Sequence, residues 1–265
     1  MKKAISLYLI YSLSIVWGFI FCSSKNTTPL DKIPTGLTNL LRAYPDFLAQ
    51  ATPTALIWKD GTVMPYDDGE LKTMDTVLVR PDLEEQMRYQ YRKGNWGKIP
   101  DTTDEAGRIR FEPFFKKMYG GTAEEVKSKL SRVEWLPGVF KKKNYYKFNS
   151  VNHAAENLQL VSNELALMPS QYHVFLKNIG GTFNWRTISG STRLSNHSFG
   201  IAIDINVKYS NYWDWEKDAT GCFAYSNKIP YQIAEIFEKH GFIWGGKWFH
   251  HDTMHFEYRP ELLLD

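Results

Sequence analysis

Cysteine is nearly missing from this sequence: 265 residues contain two, Cys22 and Cys222. If Cys22 is lost with an export signal or carries a lipid, Cys222 has no partner, which excludes a disulfide framework and leaves core packing or a metal to hold the fold. A dominant charge is missing too. There are 32 basic and 29 acidic residues, and setting aside Lys2 and Lys3 leaves 30 against 29. Such a balance gives no electrostatic support for nucleic acid as a partner. After residues 4–21 there is no second long apolar run, so no later membrane-spanning helix is expected. Neither an internal repeat nor a low-complexity segment occurs. What remains is 43% hydrophobic and 15% aromatic, enough to bury the core of one elaborated domain or two small ones.

The N-terminus carries the first positive signal. Lys2 and Lys3 precede the apolar run, and Cys22, Ser23 and Ser24 follow it, so residues 1–24 read as a signal peptide. An uncleaved membrane anchor is the alternative, because a span needs roughly 17 to 25 apolar residues. Lipidation at Cys22 is a third option, although the bulky Phe21 before it departs from the small residue usual at such sites. The expected location is outside the cytoplasm, periplasmic or in the cell envelope. Nothing in the sequence specifies an oligomeric state.

Residues 25–150 read as an N-terminal region packed on the core, and residues 151–265 as the core itself. Asp-Gly turn signals between apolar runs in residues 56–69 predict hairpin strands. Residues 82–94, acidic first and basic last before a glycine, predict a helix, and residues 123–130 a second. The run "KKKNYYK" at residues 141–147 is basic and aromatic and reads as a solvated loop or edge strand. Val151, Ala154, Ala155, Leu158, Val161, Leu165 and Met168 fall at helical spacing, with Ser150 placed to cap and Pro169 to stop the helix. Residues 181–188 predict a short strand, residues 209–225 a loop rich in Trp and Tyr, and residues 230–240 a helix closed by Gly241. "FIWGGKW" and "MHFEYR" predict two last strands. Helices around short strands with hairpin-length connections indicate an α+β fold with a small, largely antiparallel sheet.

The chemistry concentrates in two stretches. In "HSFGIAIDIN", residues 197–206, Ile201, Ile203 and Ile205 share one strand face with Val207, and Ala202, Asp204 and Asn206 share the other. A carboxylate in such a strand needs a partner, because an unpaired buried charge is costly. His197 lies seven positions before Asp204, roughly 23 Å in an extended chain and about 10 Å in a helix, so only a bend brings the two to one ion. Gly200 makes that bend available. On spacing alone this pair is a weak metal signal. The second stretch, "HHDTMHFEYRPEL", adds His250, His251, Asp252, His255 and Glu257 within eight residues. Two histidines, one aspartate and an open water position suit catalytic zinc, and a nearby acid can take that water's proton. The residues alone do not say which histidines ligate.

Together, "SNHSFGIAIDI" and "DTMHFEYRPEL" resemble the zinc peptidases of the peptidoglycan D-alanyl-D-alanine carboxypeptidase and L-alanyl-D-glutamate endopeptidase family, relatives of the lysostaphin-type peptidases and hedgehog domains. The family pattern, S-x-H-x-x-G-x-A-x-D-I followed by an acidic residue, two spacers and His-Phe-Glu, is matched from Ser195 to Ile205 and from Asp252 to Glu257. The resemblance covers roughly residues 151–264. It implies Zn²⁺ held by His197, Asp204 and His255, a zinc site in a cleft on the sheet, Asp252 as general base, and a peptidoglycan stem peptide as substrate. It also implies an upstream arginine for a substrate carboxylate or the oxyanion. Arg186 is preferred because the predicted strand would fix it, with Arg193, in a Gly/Ser-rich loop, second. Ser195 and His251 are further substrate-contact candidates, His250 is given no role, and Glu257 is expected to orient His255. Trp213, Trp215, Trp244 and Trp248 are candidates to wall the cleft. An aspartate at the base position leans toward cleavage of L-Ala–D-Glu over D-Ala–D-Ala. The alternative is a zinc-containing binding module without peptidase activity, as in hedgehog domains.

Overall fold

Among the described residues, the apolar periodicities become short elements around three small antiparallel sheets. The computed structural model describes residues 32–95 and 97–264; the export signal expected at residues 1–24 lies outside them. Residues 33–265 form one compact unit, and among the described residues no helix is long and apolar enough to cross a membrane.

Helix α1 (Thr35–Ala43) buries Leu37 and Leu40. Strands β1 (Leu48–Thr52), β2 (Ala55–Trp58) and β3 (Val63–Pro65) then form an antiparallel meander. Gly61, with φ of 84°, turns β2 into β3 as the Asp-Gly signal predicts. Helices α2 (Met74–Val79) and α3 (Leu83–Arg88) follow, the latter held by a capping box in which Asp82 and Glu85 satisfy each other's backbone N–H. The helix expected across residues 82–94 thus stops six residues early. Its continuation is pulled away by tertiary bonds: the Tyr91 hydroxyl donates to buried Glu238 at 2.5 Å, and the Gly94 N–H donates to the same carboxylate.

Helices α4 (Glu112–Tyr119) and α5 (Ala123–Ser128) lead into the two-stranded sheet of β4 (Leu130–Trp135) and β5 (Asn144–Asn149); the basic run spans the loop before β5 and its first residues, with its four lysines exposed. Helix α6 (Ala154–Ala166) buries the expected stripe, but it starts late. Ser150 donates its hydroxyl to the Lys129 carbonyl and caps nothing. Asn152 and His153 instead take φ of 52° and 59°, with the Asn152 amide tied to the Ala43 carbonyl.

After α7 (His173–Leu176), the largest sheet is assembled from β6 (Ile179–Gly181), β7 (Ala202–Asn206), β8 (Phe242–Trp244) and β9 (His255–Tyr258) in the order β6-β7-β9-β8, with α8 (Tyr231–Lys239) before β8. All its pairs are antiparallel. The isoleucine face of β7 is core, since Ile201, Ile203 and Ile205 are fully buried. Phe256, opposite Ile203, stacks on Phe237 of α8 with ring centroids 3.8 Å apart. The strand expected over residues 181–188 ends at Gly181, because the backbone beyond is claimed by the next turn: the Asn184 N–H donates to the His197 carbonyl, and the Thr182 carbonyl faces the His197 ring.

One buried ionic cluster joins the N-terminal and C-terminal parts. The Arg259 guanidinium, fully buried, meets Glu261 at 2.5 Å and Glu257 at 3.0 Å, and donates to the Gly107 carbonyl. Tyr44, just after α1, donates to the other oxygen of Glu261 at 2.6 Å. Removing the cation strands two buried carboxylates. Arg259→Leu is expected to lower the unfolding free energy by about 3–5 kcal/mol, read from the midpoint of urea denaturation at constant slope.

Candidate active site

The first arm of the site is a tight turn. Ser195 caps a short 3-10 turn, Asn196–Phe199, its hydroxyl accepting from the His197 N–H, and Gly200 at φ of 66° reverses the chain into β7. This is the bend that the spacing of His197 and Asp204 requires. The ring is held by its Nδ1–H, which donates to the Thr182 carbonyl at 2.5 Å. Its Nε2 lies 3.1 Å from Asp204 Oδ1, and this buried nitrogen has no hydrogen-bond partner.

The second arm comes from strand register. Asp204 on β7 lies opposite His255 on β9, and Ala202 lies opposite Glu257. His255 Nδ1 approaches Asp204 Oδ1 at 3.0 Å, and Nε2 approaches Glu257 Oε2 at 2.9 Å. Glu257 also accepts from Asn196 and Arg259. Ligand atoms of His197, Asp204 and His255 all lie within 4.8 Å of one another. Two imidazoles and one carboxylate with an orphaned, inward-facing nitrogen fit a tetrahedral zinc centre with one position open.

The electrostatics follow from crowding charges out of water. Burial opposes ionisation of Asp204, yet the His197 and His255 rings hold its carboxyl well below the usual range. Burial likewise works against a charged His255, but Asp204 and Glu257 raise it to about 10. Glu257, despite burial, is held at about 2 by His255, Arg259 and Arg110. Asp252 goes the other way: burial, then the charge of Asp204, pushes it up to about 7. Its backbone is fixed, the N–H donating to the Gly245 carbonyl at 3.0 Å, while buried Oδ1 has no partner. Gly245 is required there, because a Cβ would sit 2.5 Å from the Asp252 carbonyl oxygen.

These groups line one cavity of about 440 Å³. Ser195, Arg186 and Arg193 line it as well, as do Trp213, Trp215 and Trp248. Trp244 does not; it is buried, with its indole N–H donating to the Thr253 carbonyl. His251 is also absent from the wall. It is fully buried, facing Glu216 at 3.2 Å, and burial lowers its pKa, whereas His250 lines the cavity against the Trp213 ring and pairs with buried Glu105. The positions of these two histidines reverse the expectation.

The arginines also differ from expectation. With no strand to fix it, Arg186 is exposed, its guanidinium bonded to the Thr187 carbonyl at 3.3 Å. Arg193 is the anchored one, donating to the carbonyls of Leu78, Arg108 and Arg110. Those bonds spend its donors on the fold, and burial, then Arg108, lowers it to about 10. Two arginines went unrecognised in the sequence: Arg108 and Arg110, from "GRIR". Arg110 is buried and donates to the Leu194 carbonyl. Arg108 lines the cavity with its buried Nη1 lacking a partner, its guanidinium 5.7 Å from the Trp213 centroid. Gly107 just before them is demanded by its φ of 97° and by Ile243 Cδ1, 2.3 Å from where a Cβ would sit, but a lone glycine in the sequence does not mark either arginine.

A turn-borne histidine and a strand-borne aspartate and histidine thus form a cluster that could hold a metal ion, with a half-buried acid lining the same cavity. Residues 189–258 match a family model described as D-alanyl-D-alanine carboxypeptidase, which marks this part of the chain as a peptidase domain and supports, at a coarse level, the zinc peptidase family. The match contains His197, Asp204, Asp252, His255 and Glu257. A search of curated proteins finds no match.

If Glu257 orients His255 for a metal, Glu257→Gln, which keeps the shape and removes the charge, is expected to weaken zinc affinity about 10–100-fold, measured by competition with a chromogenic chelator.

Proposed function

We propose that the protein is an exported, zinc-dependent peptidase acting on peptidoglycan stem peptides. The observation that carries this reading is the convergence of His197, Asp204 and His255 on one point beside the unpartnered carboxyl of Asp252. Bound there, zinc would supply Lewis acidity and a water acidified to near neutrality. Asp252, whose buried Oδ1 has no partner and which lines the same cavity, is suited to take the proton of the attacking water and to return it to the leaving amine. Arg186 and Arg108 offer paired donors to a carboxylate or to the oxyanion of the tetrahedral intermediate.

Two bonds fit this chemistry, and they share a feature. In both D-Ala–D-Ala and L-Ala–D-Glu the leaving amino acid bears a free α-carboxylate, because the D-Glu of a stem peptide continues through its side chain. A cationic wall serves either. The family match favours a carboxypeptidase, while an aspartate at the position of Asp252 resembles the endopeptidases; we favour the L-Ala–D-Glu bond. Export is proposed from residues 1–24, with cleavage, anchoring or lipidation at Cys22 as the three processing outcomes.

The test is mass spectrometry of defined stem peptides after incubation. Wild-type protein is expected to cleave, to lose activity in chelator and to regain it with zinc. Asp252→Asn is expected to keep its zinc and lose about 10²–10⁴-fold in rate. His197→Ala is expected to lose the metal. Failure to cleave any stem peptide, with zinc bound, would return the protein to the class of non-catalytic zinc modules, and undiminished zinc in His197→Ala would refute the ligand assignment.

A further inference from the structure

Trp215 is the largest exposed apolar side chain at the mouth of the cavity, 63% accessible, and the catalytic chemistry does not use it. It is not on a loose loop. Its N–H donates to the Tyr212 carbonyl, the Trp213 N–H donates to the His251 carbonyl at 2.9 Å, and Tyr212 bridges to Asp252. Asn211 bonds Glu216 at 2.6 Å, and buried His251 holds the same carboxylate from below. The Tyr212 ring meets the Trp215 ring edge-on at 5.4 Å, 77° between planes, which buttresses the indole while leaving it open to water. Its sequence neighbours Asp214 and Lys217 are exposed and paired at 2.7 Å, with the Lys217 ammonium over the Trp213 ring. An indole anchored through its backbone and buttressed by Tyr212 is a preformed platform, and a ligand settling on it loses little entropy to ordering the protein.

Resting on the stem-peptide reading, we infer that Trp215 is a stacking platform for the amino-sugar ring to which the stem peptide is attached. The argument is one of surface matching. The electron-rich face of an indole attracts the slightly positive C–H face of a pyranose, whose hydroxyl rim then stays in water. An alanyl methyl or a glutamyl stem covers only part of an indole. Reach also favours this occupant. The L-Ala–D-Glu bond lies one residue from the sugar linkage, about 3.5 Å of chain, whereas D-Ala–D-Ala lies four residues away, about 14 Å. Trp215 and Asp252 line the same cavity, so a sugar close to the scissile bond can sit at its rim.

The experiment compares two substrates of the same peptide sequence, one free and one carrying N-acetylmuramic acid at its N-terminus, with the full-length zinc-loaded protein. Trp215→Ala is expected to reduce the ratio of kcat/KM for the sugar-bearing over the free peptide about tenfold, and Trp215→Phe to restore most of it. An unchanged ratio in Trp215→Ala overturns the platform, as does an equal fall on both substrates, which would make Trp215 a peptide contact. Calorimetric binding of N-acetylmuramyl-L-alanine keeps this separate from the catalytic proposal. Trp215-dependent binding by a protein that cleaves nothing would leave the platform standing and the peptidase reading refuted, and absence of binding by an active wild type would do the reverse.

Discussion

A relay of buried charges running from Arg259 through Glu257 to His255 and Asp204 is the constraint on which this structure turns. Each link is 3.0 Å or shorter, and Arg259 is fully buried. Ions so far from water are tolerated only when every partner is present, so the relay is all-or-nothing. Its outer end is tied to Glu261, Tyr44 and Gly107, which brings α1 and the loop before α4 against the last strand. Its inner end fixes the orientation of a histidine that has Asp204 on its other nitrogen. Stability and site geometry therefore depend on the same carboxylate, Glu257.

The cavity is shared between parts of the chain with different origins in sequence. Residues 189–258, the stretch matched to a peptidase family, provide the three candidate ligands, Asp252 and the aromatic rim. Leu78, Val79, Arg108 and Arg110, all outside that stretch, line the same cavity, Arg108 against the Trp213 ring. The core stretch can thus carry the hydrolytic chemistry while the earlier residues shape what enters. Arg193 stitches the two together, its guanidinium spent on three main-chain carbonyls from residues 78, 108 and 110.

Much of this was legible beforehand wherever the signal is local. The isoleucine alternation defined β7 and its buried face, the Asp-Gly signal defined the β2–β3 hairpin, and Gly200 marked the bend that returns His197 to Asp204. Glu257 was readable as the partner of His255 because residues two apart on a strand share a face. The errors arose where distant groups intervened. Glu238 drew Tyr91 out of a helix that local propensity favoured, the His197 turn took the backbone bonds of the strand expected around Arg186, and Asn152 displaced the start of α6. His250 and His251 are adjacent and indistinguishable by composition; packing alone put the first in the cavity wall and the second against Glu216.

The sequence by itself determined the α+β class and the faces of the central strands, because period and turn chemistry act over a few residues, whereas the candidate ligand set came from the resemblance of two motifs and not from spacing. Only the tertiary structure decided which arginines meet the cavity, which of them are already spent on main-chain carbonyls, and that Asp252 keeps a buried, unpartnered oxygen. Those outcomes depend on burial and on contacts across more than eighty residues, as between Arg193 and Arg108, and no short-range pattern encodes them.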